Sequence, residues 1–495
     1  MTETRESLVL IRLSAELSTK ARGTRRRFMR RLVENIRDAL RSTDAHFDVE
    51  SQWTRVFVRT DASADGIRVL QRVPGISSYS IVTARSKATL DEIVRTGVEE
   101  FGDRVKGRSY AVRARRRGTH PFSSADVMQT LGAALNPGAR VDLTNPEVEV
   151  EVEIRDREVY FFSGREQGLG GLPLGVEGRA VCLLSGGFDS AVAAWMMLKR
   201  GVELDYVFCN LAGEAYERSV ARVGKILADQ WSYGTSPKLH ILDFGPVLDE
   251  LRARSQPRYW QLVLKRLMYQ AADAVGRERR AQGIVTGEAI GQVSSQTLAN
   301  LAAIDRASRL PVFRPLIGFD KLDIVELSQR VGTFDISATV KEYCAIAPGN
   351  PATSATAHET ESEEAKLDPA VLRTAVESRR ILDLRTLQAA DLVLGYLFTD
   401  EVPADAVVVD VRSEEEWEAW HYPGSVNTPS WELTANPRLL GRDATFVLYC
   451  DQGVQSAQVA EVMQRAGVEA YAYRGGTSAL RKRVEEAQEP ASAEN

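Results

Sequence analysis

Apolar positions along this 495-residue chain switch repeatedly between the two-residue period of strands and the three-to-four-residue period of helices. Leu8-Val9-Leu10-Ile11 opens a strand, and Arg22 to Leu40 places Phe28, Leu32, Val33, Ile36 and Leu40 on one helical face. Strand runs at Phe47 to Gln52 and Val56 to Arg59, a helix near Ala64 to Gln71 and a strand at Ser78 to Val82 complete a βαββαβ order. The pattern then gives a helix from Ala88 to Phe101, a strand from Ser109 to Arg115, and a helix from Ser123 to Leu135 with Asp126 in its capping turn. Strands at Val148 to Ile154 and Glu158 to Phe162 follow.

The first order predicts a ferredoxin-like unit, placed over residues 1–60, and the second an α+β domain over 61–165. A glycine-rich connector, Gly168 to Gly175, leads to the apolar run Ala180 to Leu184 and a helix from Ala191 to Lys199. Strands at Leu204 to Cys209, Lys238 to Phe244 and Gly283 to Thr286 alternate with helices at Tyr216 to Asp229 and Trp260 to Val275. Alternation predicts a doubly wound parallel sheet over 175–350, with its ligand at the carboxyl ends of the strands. Residues 351–401 read as linker and connecting helices, and Pro348 to Pro369, with its acidic Glu359 to Glu364 stretch, as a linker or mobile surface segment. Strands Ala406 to Arg412 and Thr445 to Cys450 predict a last α/β domain over 402–484 before a disordered tail. The whole is an α/β multidomain chain.

Composition is that of a soluble globular protein, with 44% hydrophobic and 26% charged residues. No apolar run is long enough to span a bilayer and the N-terminus lacks a signal-peptide core, so a cytoplasmic location is expected. Four cysteines, at 182, 209, 344 and 450, are too scattered for a disulfide framework or a zinc knuckle. Charge is uneven: residues 1–165 hold 29 Lys and Arg against 23 Asp and Glu, and the remainder 34 against 45. A basic front suits a polyanion partner.

The candidate chemistry begins at Ser185-Gly186-Gly187-Phe188-Asp189-Ser190, between strand and helix. Glycines admit backbone N–H groups close to a ligand, the two serines add hydroxyls, and the helix start adds partial positive charge. Phosphate fits, and Asp189 suits Mg²⁺. No Walker lysine is present. The turn resembles the SGGxDS pyrophosphate loop of the PP-loop ATPases, which implies ATP cleavage between the α and β phosphates.

Lys106, Arg108, Arg113, Arg115, Arg116 and Arg117 are the candidate RNA phosphate contacts, four of them on one strand and its end. The 61–165 region resembles a THUMP domain, an RNA-binding module of tRNA-modifying enzymes. Arg25-Arg26-Arg27 and Arg30-Arg31 read equally well as a solvated helix face.

Gly287 to Thr297, Val263-Leu264-Lys265-Arg266 and Glu342-Tyr343-Cys344, with Ser185 to Ser190, resemble the tRNA uracil 4-sulfurtransferase family. The resemblance implies ATP against Leu183, Leu184, Lys265, Gly287 and Gln296. The 402–484 region resembles a rhodanese domain, in which Cys450 would carry a sulfane sulfur as a low-pKa thiol at a strand end before a helix start. Gln455 stands where many rhodaneses place a cation, and Asp451 adds a negative charge. Cys344 is implied as a second thiol forming a transient disulfide with Cys450; Cys182 and Cys209 read as structural.

The implied function is ATP-dependent thiolation of C4 of a tRNA uridine, at position 8 by resemblance. A cysteine desulfurase would load Cys450, and a thiamine sulfur-carrier protein would be a further recipient. A PP-loop amide-forming ligase and a catalytically degenerate tRNA-binding protein are the alternatives; the first would have no need of Cys450, the second none of Asp189 and Lys265.

Overall fold

The computed structural model describes residues 6–43, 45–52, 54–338, 351–387, 392, 395–450 and 454–488. The chain forms two units: Met1–Glu177 with Lys199–Gly201, and Gly178–Leu198 with Val202–Asn495.

The first unit holds two sheets. β1 (Ser7–Leu13), α1 (Ala15–Ser18), α2 (Arg22–Arg41), β2 (Phe47–Gln52), β3 (Arg55–Thr60), α3 (Ala64–Ile67) and β4 (Ile76–Val82) give the predicted βαββαβ order. Phe28, Leu32, Ile36 and Leu40 are the buried face of α2, as the periodicity requires. β5 (Ala84–Lys87), α4 (Leu90–Val105), β6 (Ser109–Arg117), α5 (Ser124–Leu135), β7 (Arg140–Val141), β8 (Val148–Arg155) and β9 (Glu158–Phe162) make the second sheet, in the order β5-β9-β8-β6-β7. β10 (Glu166–Gln167) returns to the first sheet, giving β10-β4-β1-β3-β2. A buried ion cluster joins the sheets: Glu153 takes Arg55 and Arg155 at 2.9 Å and Arg12 at 3.6 Å. Burial pushes the Arg12 guanidinium down to about 10 despite Glu153.

The second unit begins with β11 (Arg179–Leu183), α6 (Phe188–Lys199), β12 (Glu203–Asn210), α7 (Glu214–Trp231), β13 (Lys238–Asp243), α8 (Gly245–Arg254) and α9 (Trp260–Glu278). β14 (Ile284–Val285), α10 (Leu298–Asp305), β15 (Val312–Phe313), α11 (Lys321–Val331) and α12 (Phe334–Ser337) follow. Next come α13 (Ala357–Glu364), α14 (Pro369–Glu377) and β16 (Arg380–Asp383). The sheet order is β15-β14-β11-β12-β13-β16, parallel except for the antiparallel edge strand β16.

Two expectations are corrected here. Helix α6 starts at Phe188, not Ala191, so Asp189 and Ser190 lie in its first turn. The acidic 359–364 stretch is packed, not mobile. Thr356 opens α13 with a capping box, Glu363 accepts from Ser255 and Gln256, and Glu364 pairs with Arg266.

The last domain contains β17 (Phe398–Thr399), β18 (Val407–Asp410), α15 (Glu414–Ala419), β19 (Val426–Asn427), α16 (Ser430–Ala435), β20 (Phe446–Tyr449), α17 (Val454–Arg465), β21 (Ala470–Tyr473) and α18 (Gly476–Gln488). Its parallel sheet runs β17-β21-β20-β18-β19. Among the described residues no helix is long and apolar enough to cross a membrane.

Candidate active site

The sheet of the second unit grows from β11 through β12 and β13 on one side and through β14 and β15 on the other. Strand order therefore reverses between β11 and β14, and the crevice at the carboxyl ends of such a pair is the ligand position of doubly wound sheets. The phosphate turn follows β11, and Thr286-Gly287-Glu288 follows β14.

Both predicted hydroxyl donors are engaged within the turn. The Ser185 N–H donates to Ser190 Oγ at 3.0 Å, the two hydroxyls are 3.0 Å apart, and the Gly187 N–H donates to Ser185 Oγ at 3.3 Å. The serines thus brace the loop, leaving the first turn of α6 as its positive end. The Gly186 N–H reaches the Tyr216 hydroxyl at 3.4 Å. Gly287 is required by close approach: a Cβ there would lie 2.5 Å from the Asp189 carbonyl carbon and the Ser190 nitrogen. Leu184 is buried with its N–H donated to the Val207 carbonyl, so Leu183, half-buried, is the more open of the pair.

Lys265 is paired, its ammonium 2.9 Å from Glu288 Oε1. Glu288 also accepts from Arg314 at 2.9 Å, Thr286 at 3.2 Å and the Tyr269 hydroxyl. Burial alone would raise its pKa, but the Lys265 and Arg314 charges and the Tyr269 bond outweigh it and bring Glu288 to about 2. Gln296 is buried beside them, its Oε1 accepting from the Ala289 N–H at 3.3 Å. Arg266, in the same basic stretch of α9, turns instead to Glu364 and the Ala303 carbonyl. Asp189 is 9% exposed and accepts from Lys321 at 2.9 and 3.2 Å. Contacts of Gly287, Glu288 and Ala289 thus link the glycine turn, Lys265 and Gln296 at the end of β14. Lys321, Arg314 and Tyr216 join these residues and escaped the sequence reading, because each reaches them through tertiary packing.

Cys450 directly follows β20, nearly buried, and the Ser456 N–H of α17 points at its sulfur at 3.4 Å, with Ser456 Oγ at 3.6 Å. Strand end, thiol and helix-start amide are arranged as expected. The Gln455 side chain is held by Ser430 Oγ. Glu342, Tyr343, Cys344 and Asp451 lie outside the described residues. Cys182 and Cys209 are buried, and burial pushes both thiols up, which fits packing rather than reaction.

The six candidate RNA cations lie at the two ends of β6 and along it. Lys106 and Arg108 precede β6, whereas Arg115, Arg116 and Arg117 end it, about 25 Å of strand away. Arg113 is paired with Glu149 at 3.0 Å. Arg22, Arg25, Arg26, Arg30 and Arg37 line a concavity of about 600 Å³ between α2 and β2. Among the described residues no three His, Cys, Asp or Glu side chains converge as a metal site.

The family model described as "Thiamine biosynthesis protein (ThiI)" matches residues 175–368. A ThiI ferredoxin-like domain matches 8–80, a THUMP domain 87–163 and a rhodanese-like domain 398–483. The tRNA sulfurtransferase of Desulfurococcus amylolyticus is 37% identical over 96% of this chain and 98% of its own. That of Marinobacter nauticus is 36% identical over 93% and 97%. The crystal structure of a 4-thiouridine synthetase–RNA complex with bound ATP superposes with a TM-score of 0.68 at 31% identity, covering 76% of this chain and 99% of that one. The chain belongs to the tRNA sulfurtransferase family.

Proposed function

We propose that this protein uses ATP to transfer sulfur to C4 of a tRNA uridine, giving 4-thiouridine. One observation carries the reading: a phosphate turn at a sheet switch point and a strand-end thiol facing a helix-start amide occur in one chain. The turn and the start of α6 hold the ATP phosphates, with Leu183 and Gly287 on the nucleotide side and Lys265 and Gln296 shaping the wall. The uracil O4 attacks the α-phosphorus as N3 loses its proton; the bond to the α–β bridging oxygen breaks and pyrophosphate leaves.

The terminal sulfur of a Cys450 persulfide then attacks C4, the C4–O bond breaks and AMP departs. Cys344 thiolate attacks Cys450 Sγ, the S–S bond to the nucleobase breaks, and N3 regains a proton as the thiocarbonyl forms. A dithiol reductant reopens the Cys344–Cys450 disulfide. Asp189 has the hard oxygen donors that Mg²⁺ takes together with phosphate oxygens, and the ion would neutralise phosphate charge when bound.

In this reading the uridine is position 8, a cysteine desulfurase in the cytoplasm loads Cys450, and a thiamine sulfur-carrier protein is a second acceptor. The test is mass spectrometry of nucleosides from tRNA incubated with ATP, desulfurase and cysteine. 4-Thiouridine should appear with wild type and vanish with Cys450→Ser. Undiminished thiolation by that variant ends the reading.

A further inference from the structure

Helix α7 opens without a cap of its own. Its N-cap is Gly213, at φ +84° and with no side chain to accept the first amides, where Ser, Thr, Asp or Asn is the usual choice. The cap comes from α17 of the cysteine domain instead. Glu461 Oε1 accepts from the Glu214 N–H at 2.9 Å and Oε2 from the Ala215 N–H at 2.8 Å. Arg465, one turn further on α17, holds the same carboxylate at 2.6 Å. A carboxylate on a helix N-terminus is charge-complementary, and this one is almost wholly removed from solvent. Gly213 is suited to it, since a Cβ there would lie 3.0 Å from Glu461 Oε1. Ala215, Leu397, Ala457 and Ala472 form an apolar cluster around the contact.

The contact lies at the nucleotide end of the sheet. α7 follows β12, whose Val207 carbonyl takes the Leu184 N–H at 2.9 Å. Tyr216, the residue after Ala215, reaches the Gly186 amide of the phosphate turn. On the other side, Ala457 and Glu461 lie one turn apart on the helix whose Ser456 faces the Cys450 sulfur. The helix that presents the sulfur carrier is thus clamped to the helix that braces the phosphate turn.

We propose that Glu461 is the positioning residue that seats the Cys450 domain beside the phosphate turn for sulfur transfer, a proposal that rests on the function proposed above. Glu461 touches neither substrate nor thiol, so its loss should slow delivery and spare loading. The experiment uses the full chain. Cys450 persulfide is formed first, and single-turnover thiolation of tRNA is followed with ATP; thiosulfate-to-cyanide sulfur transfer reports the cysteine domain alone, and pyrophosphate release reports adenylation.

Glu461→Ala should slow thiolation at least tenfold while cyanide transfer and pyrophosphate release stay within twofold of wild type, and Glu461→Asp should recover part of the rate. Ala215→Leu, which leaves the cysteine domain unaltered, should give the same split and decides the matter if Glu461→Ala loses cyanide transfer. Wild-type thiolation by either variant with intact cyanide transfer overturns the docking role. A Cys450→Ser enzyme that still thiolates would instead overturn the underlying function.

Discussion

Lys321 Nζ lies 2.9 Å and 3.2 Å from the two carboxylate oxygens of Asp189, bridging 132 residues of sequence at the mouth of the phosphate turn. Lys321 is the first residue of α11 and its side chain is half exposed, whereas that of Asp189 is nearly buried. The carboxylate is enclosed while the ammonium faces solvent beside the turn, over the Phe188 ring. Asp189→Asn keeps the shape and removes the charge; Lys321→Met removes the cation. Each should lower tRNA-dependent pyrophosphate release by about 10²–10³-fold, the usual effect of losing one preorganised charged partner of a reacting group. Rates within twofold of wild type would remove both residues from the chemistry.

Gly287 has no space for a side chain. A methyl group there meets backbone, not a flexible side chain, at 2.5 Å, so the start of α6 must move away. Gly287→Ala should abolish detectable ATP binding by isothermal titration while Cys450-dependent thiosulfate-to-cyanide transfer continues. Normal ATP affinity would show that the close approach tolerates displacement.

The elements and the phosphate turn were readable because each is local. A five-residue apolar strand, paired glycines and a helical run leave few alternatives, and a βαββαβ order in the hydrophobic pattern needs no partner information. What escaped was tertiary. Glu359, Glu363 and Glu364 read as a solvated acidic stretch until Tyr259, Ser255 and Arg266 are brought opposite them. Nor does the sequence reveal that Lys265 is paired, since its partner, Glu288, lies 23 residues away. Four of the six RNA cations were readable on one strand and its end, but the distance that the nine-residue strand puts between them and Lys106 and Arg108 shows only once the strand is extended.

That separation has a measurable consequence. Arg115, Arg116 and Arg117 are exposed at the end of β6, whereas Arg113 is already neutralised by Glu149. Replacing Arg115 and Arg116 by Gln should weaken tRNA binding and reduce the slope of log affinity against log salt by about 1 for each phosphate no longer neutralised. Arg113→Gln should change neither by more than twofold. Filter binding between low and moderate salt distinguishes the sets, and equal slopes for all variants would place the RNA elsewhere.

Glu288 ties the nucleotide wall to acid stability. Its folded pKa, about 2, lies below its ordinary value of 4.5 because Lys265, Arg314 and the Tyr269 hydroxyl overcome the cost of burial. The stabilisation is therefore complete above about pH 4.5 and lost as pH falls toward 2, and a shift of this size corresponds to about 3 kcal/mol. Glu288→Gln should lose that stabilisation at neutral pH. It leaves the two cations without their shared anion, a defect that costs about 3–5 kcal/mol in buried pairs. Urea titrations from pH 5.5 to 3 should show wild type losing stability faster than the variant, the two curves converging at the acid end. Parallel curves would mean that Glu288 is protonated or unpaired in the folded chain.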